Sequence, residues 1–94
     1  MKLRFMPEAE DVLFEIGEWV EERNTAGSGF RFINNFIDEV AEYALPNVSY
    51  PVCKNKALAS YALCCIAIND WVIAFEQTKE EFIVQYILFG PGLR

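Results

Sequence analysis

Trp71-Val72-Ile73-Ala74-Phe75, the polar break Gln77-Thr78-Lys79-Glu80 and then Phe82-Ile83-Val84-Gln85-Tyr86-Ile87-Leu88 make up the stretch that decides the fold. Both apolar runs are rich in β-branched and aromatic residues, are too short for typical helices and flank a polar turn, so they read as an antiparallel β-hairpin. A third such run, from Leu58 to Ile68, precedes them and closes on Asn69-Asp70, which extends the hairpin to a three-stranded meander. On that first strand Tyr61, Leu63 and Cys65 would share one face, and Ser60, Ala62, Cys64 and Ile66 the other. Neither of the last two runs alternates cleanly between apolar and polar, so both faces of the sheet must be at least partly covered.

The cover lies upstream. Lys2-Leu3-Arg4-Phe5 alternates as a short strand ended by Pro7. Ala9, Val12, Leu13, Ile16, Trp19 and Val20 then recur every three or four residues, predicting an amphipathic helix over residues 8–23 with Pro7 at its start and Phe14 off the apolar stripe. Residues 24–29 form a polar, glycine-bearing break in which Thr25 or Ser28 can cap a second helix, running from Gly27 or Ser28 to Ala44. Its stripe is Phe30, Ile33, Phe36, Ile37, Val40 and Ala44, with Phe32 outside it. Two helices joined by a short break form an antiparallel hairpin that can cover the sheet. The expected architecture is α+β and single-domain over residues 1–94: a short N-terminal strand, then a helical hairpin packed on an antiparallel sheet ending in a three-stranded meander. Residues 45–51, with Pro46 and Pro51, read as an irregular loop.

Composition narrows the classes. A chain with 53% hydrophobic and 15% aromatic residues is far from disordered. No apolar run approaches the roughly 20 residues that cross a bilayer, and residues 7–11 are polar where a signal peptide carries its apolar core, so the expected location is cytoplasmic. The net charge of −6 opposes nonspecific nucleic-acid binding, which rests on phosphate neutralisation by Lys and Arg. Half of the fourteen acidic residues (Glu8, Glu10, Asp11, Glu15, Glu18, Glu21 and Glu22) fall in the first helix, as a solvated face or an acidic docking surface. Cys53, Cys64 and Cys65 lack zinc-site spacing and are expected to be free thiols of a reducing compartment. Cys64 and Cys65, adjacent on a strand, point to opposite faces and do not chelate one ion together.

Residues able to carry chemistry are few. The chain has no histidine, which excludes Ser/His/Asp and Cys/His arrangements. Carboxylate pairs such as Glu18 with Glu22 have the spacing of ordinary helix surfaces, and Gly27-Ser28-Gly29 and Gly90-Pro91-Gly92 lack the spacing of phosphate-cradling loops. No catalytic residue, metal or cofactor is expected. The set nearest to a nuclease is Lys54, Lys56 and Arg94, with Lys2 and Arg4 and a tyrosine among Tyr50, Tyr61 and Tyr86.

Three local patterns and their order resemble the RelE/ParE superfamily of toxins from bacterial toxin–antitoxin pairs. Residues 9–16, Ala-Glu-Asp-Val-Leu-Phe-Glu-Ile, resemble its opening helix, with an acidic pair before an apolar-periodic stretch. Residues 68–75, Ile-Asn-Asp-Trp-Val-Ile-Ala-Phe, resemble its turn of glycine or aspartate plus an aromatic, leading into the second meander strand. Tyr86-Ile87-Leu88-Phe89-Gly90 resembles its closing strand, which commonly ends in an apolar pair followed by His-Gly. The resemblance spans essentially the whole chain and implies a helical hairpin on an antiparallel sheet.

The ribosome-dependent RNases of that family place lysines in the first meander strand, an arginine just after the aromatic of the turn, and basic residues after the terminal glycine. Here residues 58–65 contain no lysine, Val72 follows Trp71, Pro91-Gly92 follows Gly90, and Phe89 stands in place of the common His. The resemblance therefore points to the gyrase-poisoning ParE-like branch. It implies action by protein binding, on DNA gyrase, and neutralisation by a cognate antitoxin whose amphipathic C-terminal segment wraps the helical hairpin and sheet edge. The alternative is an interaction domain or homodimer without toxicity. The candidate contact residues are apolar and aromatic side chains expected to be exposed, together with the tail: Phe14, Trp19, Phe32, Phe89, Leu93 and Arg94.

Overall fold

The computed structural model describes residues 1–90, and its elements follow the α+β order expected. Strand β1, Lys2–Phe5, ends at Pro7, which takes the first position of helix α1, Pro7–Arg23. There its fixed φ suits the helix and its missing N–H costs nothing. Glu8 and Glu10 in the first turn and Arg23 in the last complement the helix dipole. Helix α2, Ser28–Ala41, is three residues shorter than its apolar stripe predicts. Tyr43 and Ala44 bond back to Val40 and Ala41 in tighter turns that close the helix.

The four strands are β1, β2 (Cys64–Ile68), β3 (Trp71–Gln77) and β4 (Glu81–Phe89), in the spatial order β1-β4-β3-β2. The meander β2-β3-β4 is antiparallel, but β1 runs parallel to β4, so the sheet is mixed. Parallel pairing follows from chain direction. The helical hairpin between β1 and β2 crosses one sheet face and lets the N-terminal strand take the outer side of β4.

The imperfect alternation of β4 comes from a bulge. Phe75 pairs with Val84 and Ala74 with Tyr86, leaving Gln85 without a partner on β3. The extra residue resets the parity, so that Phe82 and Val84 before it and Ile87 after it join one core with Ala9, Leu13, Phe36 and Val40 of the helices. Phe75 and Phe82 stack at 4.1 Å in this core, and Tyr50 closes its end edge-on to Phe75 at 5.5 Å. The other sheet face carries a smaller cluster of Leu58, Leu63, Cys53 and Ala74, with Cys65 and Tyr86 packed against it.

That second cluster corrects the reading of the first meander strand. Only residues 64–68 are extended. Lys56–Ala59 forms a one-turn helix, α3, capped by the Asn55 side chain, which accepts from the N–H groups of Ala57 and Leu58. A turn follows, with Ala62 at φ 58°. The apolar residues Leu58 and Leu63 suit a strand as well as a helical turn, and burial on the second sheet face selects the turn.

The cysteine expectation is also overturned. Cys53 and Cys65 form a disulfide with a Cα–Cα distance of 4.9 Å, and Cys64 remains the free thiol. Opposite side-chain directions on β2 send Cys65 to the second face, where the loop carrying Cys53 lies, and Cys64 to the helix side. Reading residues 58–63 as strand hid the approach of residue 53 to residue 65.

The helical hairpin is held by a close crossing. A Cβ added at Gly29 would overlap the backbone oxygen of Gly17, and one added at Gly17 would meet Ile33 Cδ1 at 2.5 Å. Neither Thr25 nor Ser28 caps α2 with its side chain; Gly27, at φ 86°, occupies the cap position. The carboxylate of Glu21 on α1 replaces a local cap, accepting from the N–H of Gly27 at 2.7 Å and of Gly29 at 2.8 Å.

Candidate functional site

Val12, Glu15, Ile16 and Trp19 follow one another along α1 at intervals of three, one and three residues and form one wall of an apolar groove of about 640 Å³. Trp71, Ile87, Leu88 and Phe89, where β3 begins and β4 ends, form the opposite wall. Trp71 and Phe89 are paired across the β3–β4 ladder and meet edge to face at 5.0 Å. The bulge at Gln85 turns Phe89 toward the helix side. Trp19, 56% exposed, and Phe89, 65% exposed, are large aromatic side chains at the groove mouth. The Arg23 guanidinium lies 4.3 Å from the Trp19 ring centre and closes over one end of α1.

Strand lengths expose the sheet beside this groove. β1 pairs with residues 81–84 of β4, and the ladder ends where the Met6 N–H meets the Val84 oxygen at 2.9 Å. Residues 85–89 continue beyond it, and no strand among the described residues pairs with them on that side. Gly90 N–H donates to Asp70 oxygen at 3.1 Å, so the alternating antiparallel pattern directs the Leu88 backbone to β3 and those of Ile87 and Phe89 to the open side.

Of the residues singled out from sequence, Trp19 and Phe89 come together at this groove. Phe14, 52% exposed, lies instead on the outer side of the helical hairpin, sharing a shallow hollow with Phe30, Gly17, Gly29 and Ile33. Phe32 and Phe30 exchange their expected roles. Phe32 stacks on Phe36 at 6.0 Å against the core, while Phe30 is 72% exposed. The inward face of α2 is centred on Gly29, Phe36 and Val40, and at about 100° per residue Phe32 falls near that centre and Phe30 well off it. Leu93 and Arg94 lie outside the described residues. Val12, Ile16, Trp71 and Ile87 were legible only as apolar positions. The pointer missed in the sequence is the inequality of a four-residue first strand and a long last one.

Among the described residues, which leave out Arg94, the alternative catalytic set is not assembled as a proton-transfer site. The Tyr50 hydroxyl donates to the Tyr43 carbonyl at 2.8 Å, and burial pushes its pKa up, with Tyr43 adding to the shift. Arg4 pairs with Glu81 at 3.2 Å, and Lys54 and Lys56 are exposed in the loop and at the start of α3. Burial likewise raises the pKa of the Cys64 thiol, whose S–H points to the Tyr50 oxygen at 3.3 Å, an arrangement that disfavours the reactive thiolate. Among the described residues no helix is long and apolar enough to cross a membrane, and no group of three or more His, Cys, Asp or Glu side chains could hold a metal ion. In comparisons with known proteins, no family model matches the chain and no curated sequence matches it.

Proposed function

We propose that the chain is a ParE-like member of the RelE/ParE toxin superfamily that acts by binding a protein, with DNA gyrase as the target, and is neutralised by a cognate antitoxin. The observation that carries this reading is the groove between α1 and the end of the β3–β4 hairpin, where Trp19, Trp71 and Phe89 offer amphipathic aromatic area to a partner. The amphipathic segment of the antitoxin lies there. The order of strand, helical hairpin and meander supports the assignment, as do the three sequence patterns. Nuclease action fits poorly: Val72, at the position of the family's arginine, is buried in the sheet, and Tyr50 is already engaged. On this reading the chain works in the cytoplasm.

A second reading, an interaction domain of the same fold without toxicity, is favoured by one feature. Family toxins are basic, whereas α1 here holds seven acidic residues against Arg23 alone. Induced expression of the chain in a bacterial host, alone and with the product of the adjacent small reading frame, separates the two. Growth arrest rescued by the neighbour supports the toxin. Normal growth with abundant soluble protein overturns toxicity in that host and leaves the interaction domain.

A further inference from the structure

We infer that the Cys53–Cys65 disulfide is a thiolation site: a small anionic thiol attacks the Cys65 sulfur from the hollow in front of it, forms a mixed disulfide there and releases Cys53 as a thiolate beside Lys54. It goes beyond the binding reading above and needs neither toxicity nor a protein partner.

Three observations carry it. First, the bond lies at the surface, on the side of the sheet away from the helices. Pro51, Val52, Cys53, Lys54 and Cys65 line a hollow of about 300 Å³. That volume lies at the lower end of the range for ligand pockets and suits a thiol of a few carbons. Cys53 is buried, at 5% exposed, whereas Cys65 is half-buried on the edge strand β2, so an incoming thiolate reaches Cys65 first. The rate of such exchange depends on which sulfur is open to attack and on how readily the other leaves.

Second, charge selects the thiol. Lys54 is exposed and lines the hollow, and no carboxylate among the described residues lines it. From residue 43 to residue 69 the chain holds no Asp or Glu, and its cations there are Lys54 and Lys56, within a chain of net charge −6. A cation at this place attracts a thiol that carries a carboxylate. The same cation favours Cys53 as a thiolate, which makes it the better leaving group.

Third, the remaining thiol of the chain does not compete. Cys64 lies on the opposite face of β2 with its S–H directed to the Tyr50 oxygen at 3.3 Å, so the attacking sulfur comes from solution. The step is an exchange. The bond from the small thiol to the Cys65 sulfur forms as the Cys53–Cys65 bond breaks, and the electron pair of the broken bond leaves on Cys53. The loop that carries Cys53 then loses its covalent tie to β2, and the adduct on Cys65 takes its place in the hollow. A second molecule of the thiol completes reduction by attacking its own kind in the adduct. That attack gives the small disulfide and a Cys65 thiolate, so the two protein sulfurs gain the two electrons that the two small thiols lose.

The test uses the full chain in its oxidised form, with thioglycolate, β-mercaptoethanol and cysteamine as anionic, neutral and cationic thiols. Each rate is divided by that of the same thiol on hydroxyethyl disulfide, which removes differences in nucleophilicity. The normalised rate should fall about fivefold from thioglycolate to cysteamine at low salt. Raising NaCl from about 50 to about 500 mM should shrink this preference. Reactions quenched with N-ethylmaleimide and digested with trypsin, which cuts after Lys54 and Lys56 and so separates Cys53 from Cys65, should show the thioglycolate adduct on Cys65 and maleimide on Cys53. Lys54→Gln should remove the charge preference while circular dichroism shows the variant folded, and Lys54→Arg and Lys56→Gln should keep it. Adducts on Cys53 or Cys64, equal normalised rates for the three thiols, or a preference that survives Lys54→Gln would each overturn the inference. A bond left intact by thiol concentrations that cleave hydroxyethyl disulfide would overturn it too.

Discussion

Glu21 on α1 receives the backbone N–H of Gly29 on α2 at 2.8 Å, so the second helix is capped by the first and not by its own preceding residues. Hydrogen bonds from Gly29 and then Gly27 hold the Glu21 carboxyl below its ordinary pKa of 4.5, and Arg31 adds to this while desolvation opposes it. A carboxyl whose pKa is lower in the folded than in the unfolded chain binds its proton more weakly when folded. Its stabilising effect is therefore complete above pH 4.5 and is lost as the pH falls from there through the lowered value. Thermal denaturation from pH 7 to pH 3 should show Glu21→Gln less stable than the parent at neutral pH, with the difference shrinking over that acid window. A difference constant across the range would contradict the capping role.

Gly29→Ala should destabilise the chain more than Gly17→Ala. The new methyl at Gly29 would overlap the Gly17 backbone oxygen, which cannot yield unless the helices separate, whereas the one at Gly17 meets the mobile end of Ile33. Overpacking of this kind costs about 1–3 kcal/mol. Urea midpoints for the two variants check the order, and the reverse order would mean that the crossing is looser than described.

Reduction of the Cys53–Cys65 bond frees the loop and α3 from the second sheet face. With a sequence separation of 12, its loss should cost about 3 kcal/mol by the chain-entropy estimate for a loop of this size. Calorimetry with and without dithiothreitol measures it, with Cys53→Ser as the control that must be insensitive to the reductant. Mass spectrometry after maleimide treatment should find one slowly alkylated thiol, Cys64, before reduction and three after it.

Trp19→Ala and Phe82→Ala should separate binding from folding. Phe82 is fully buried against Phe75, so its truncation should cost about 3–5 kcal/mol. Trp19 is exposed and gives up little beyond its contact with Arg23, at most about 1 kcal/mol. Against the antitoxin identified by rescue of growth, titration calorimetry should show the Trp19 variant binding weaker by about 2 kcal/mol or more. Unchanged affinity would remove the groove from the interface.

The amino-acid sequence by itself determined the order of the four strands and the two long helices, because period is a local property. The three-and-four spacing of Ala9 to Val20 and the β-branched runs around residues 77–80 each choose a secondary structure without help from distant residues. The Asn69-Asp70 turn was likewise legible, and Asn69 takes the left-handed conformation, at φ 56°, that asparagine tolerates. Other features depended on the packed molecule. Leu58 became part of a helical turn and Leu63 of the irregular stretch after it because the second sheet face needed covering, and that stretch lies where Cys53 meets Cys65. Phe32 went inward and Phe30 outward because the Gly17–Gly29 crossing set the rotation of α2. The groove and its open strand edge exist only once β1 stops at Val84 while β4 runs on to Phe89. Register between strands far apart in the chain is settled by burial and pairing, which no local period encodes.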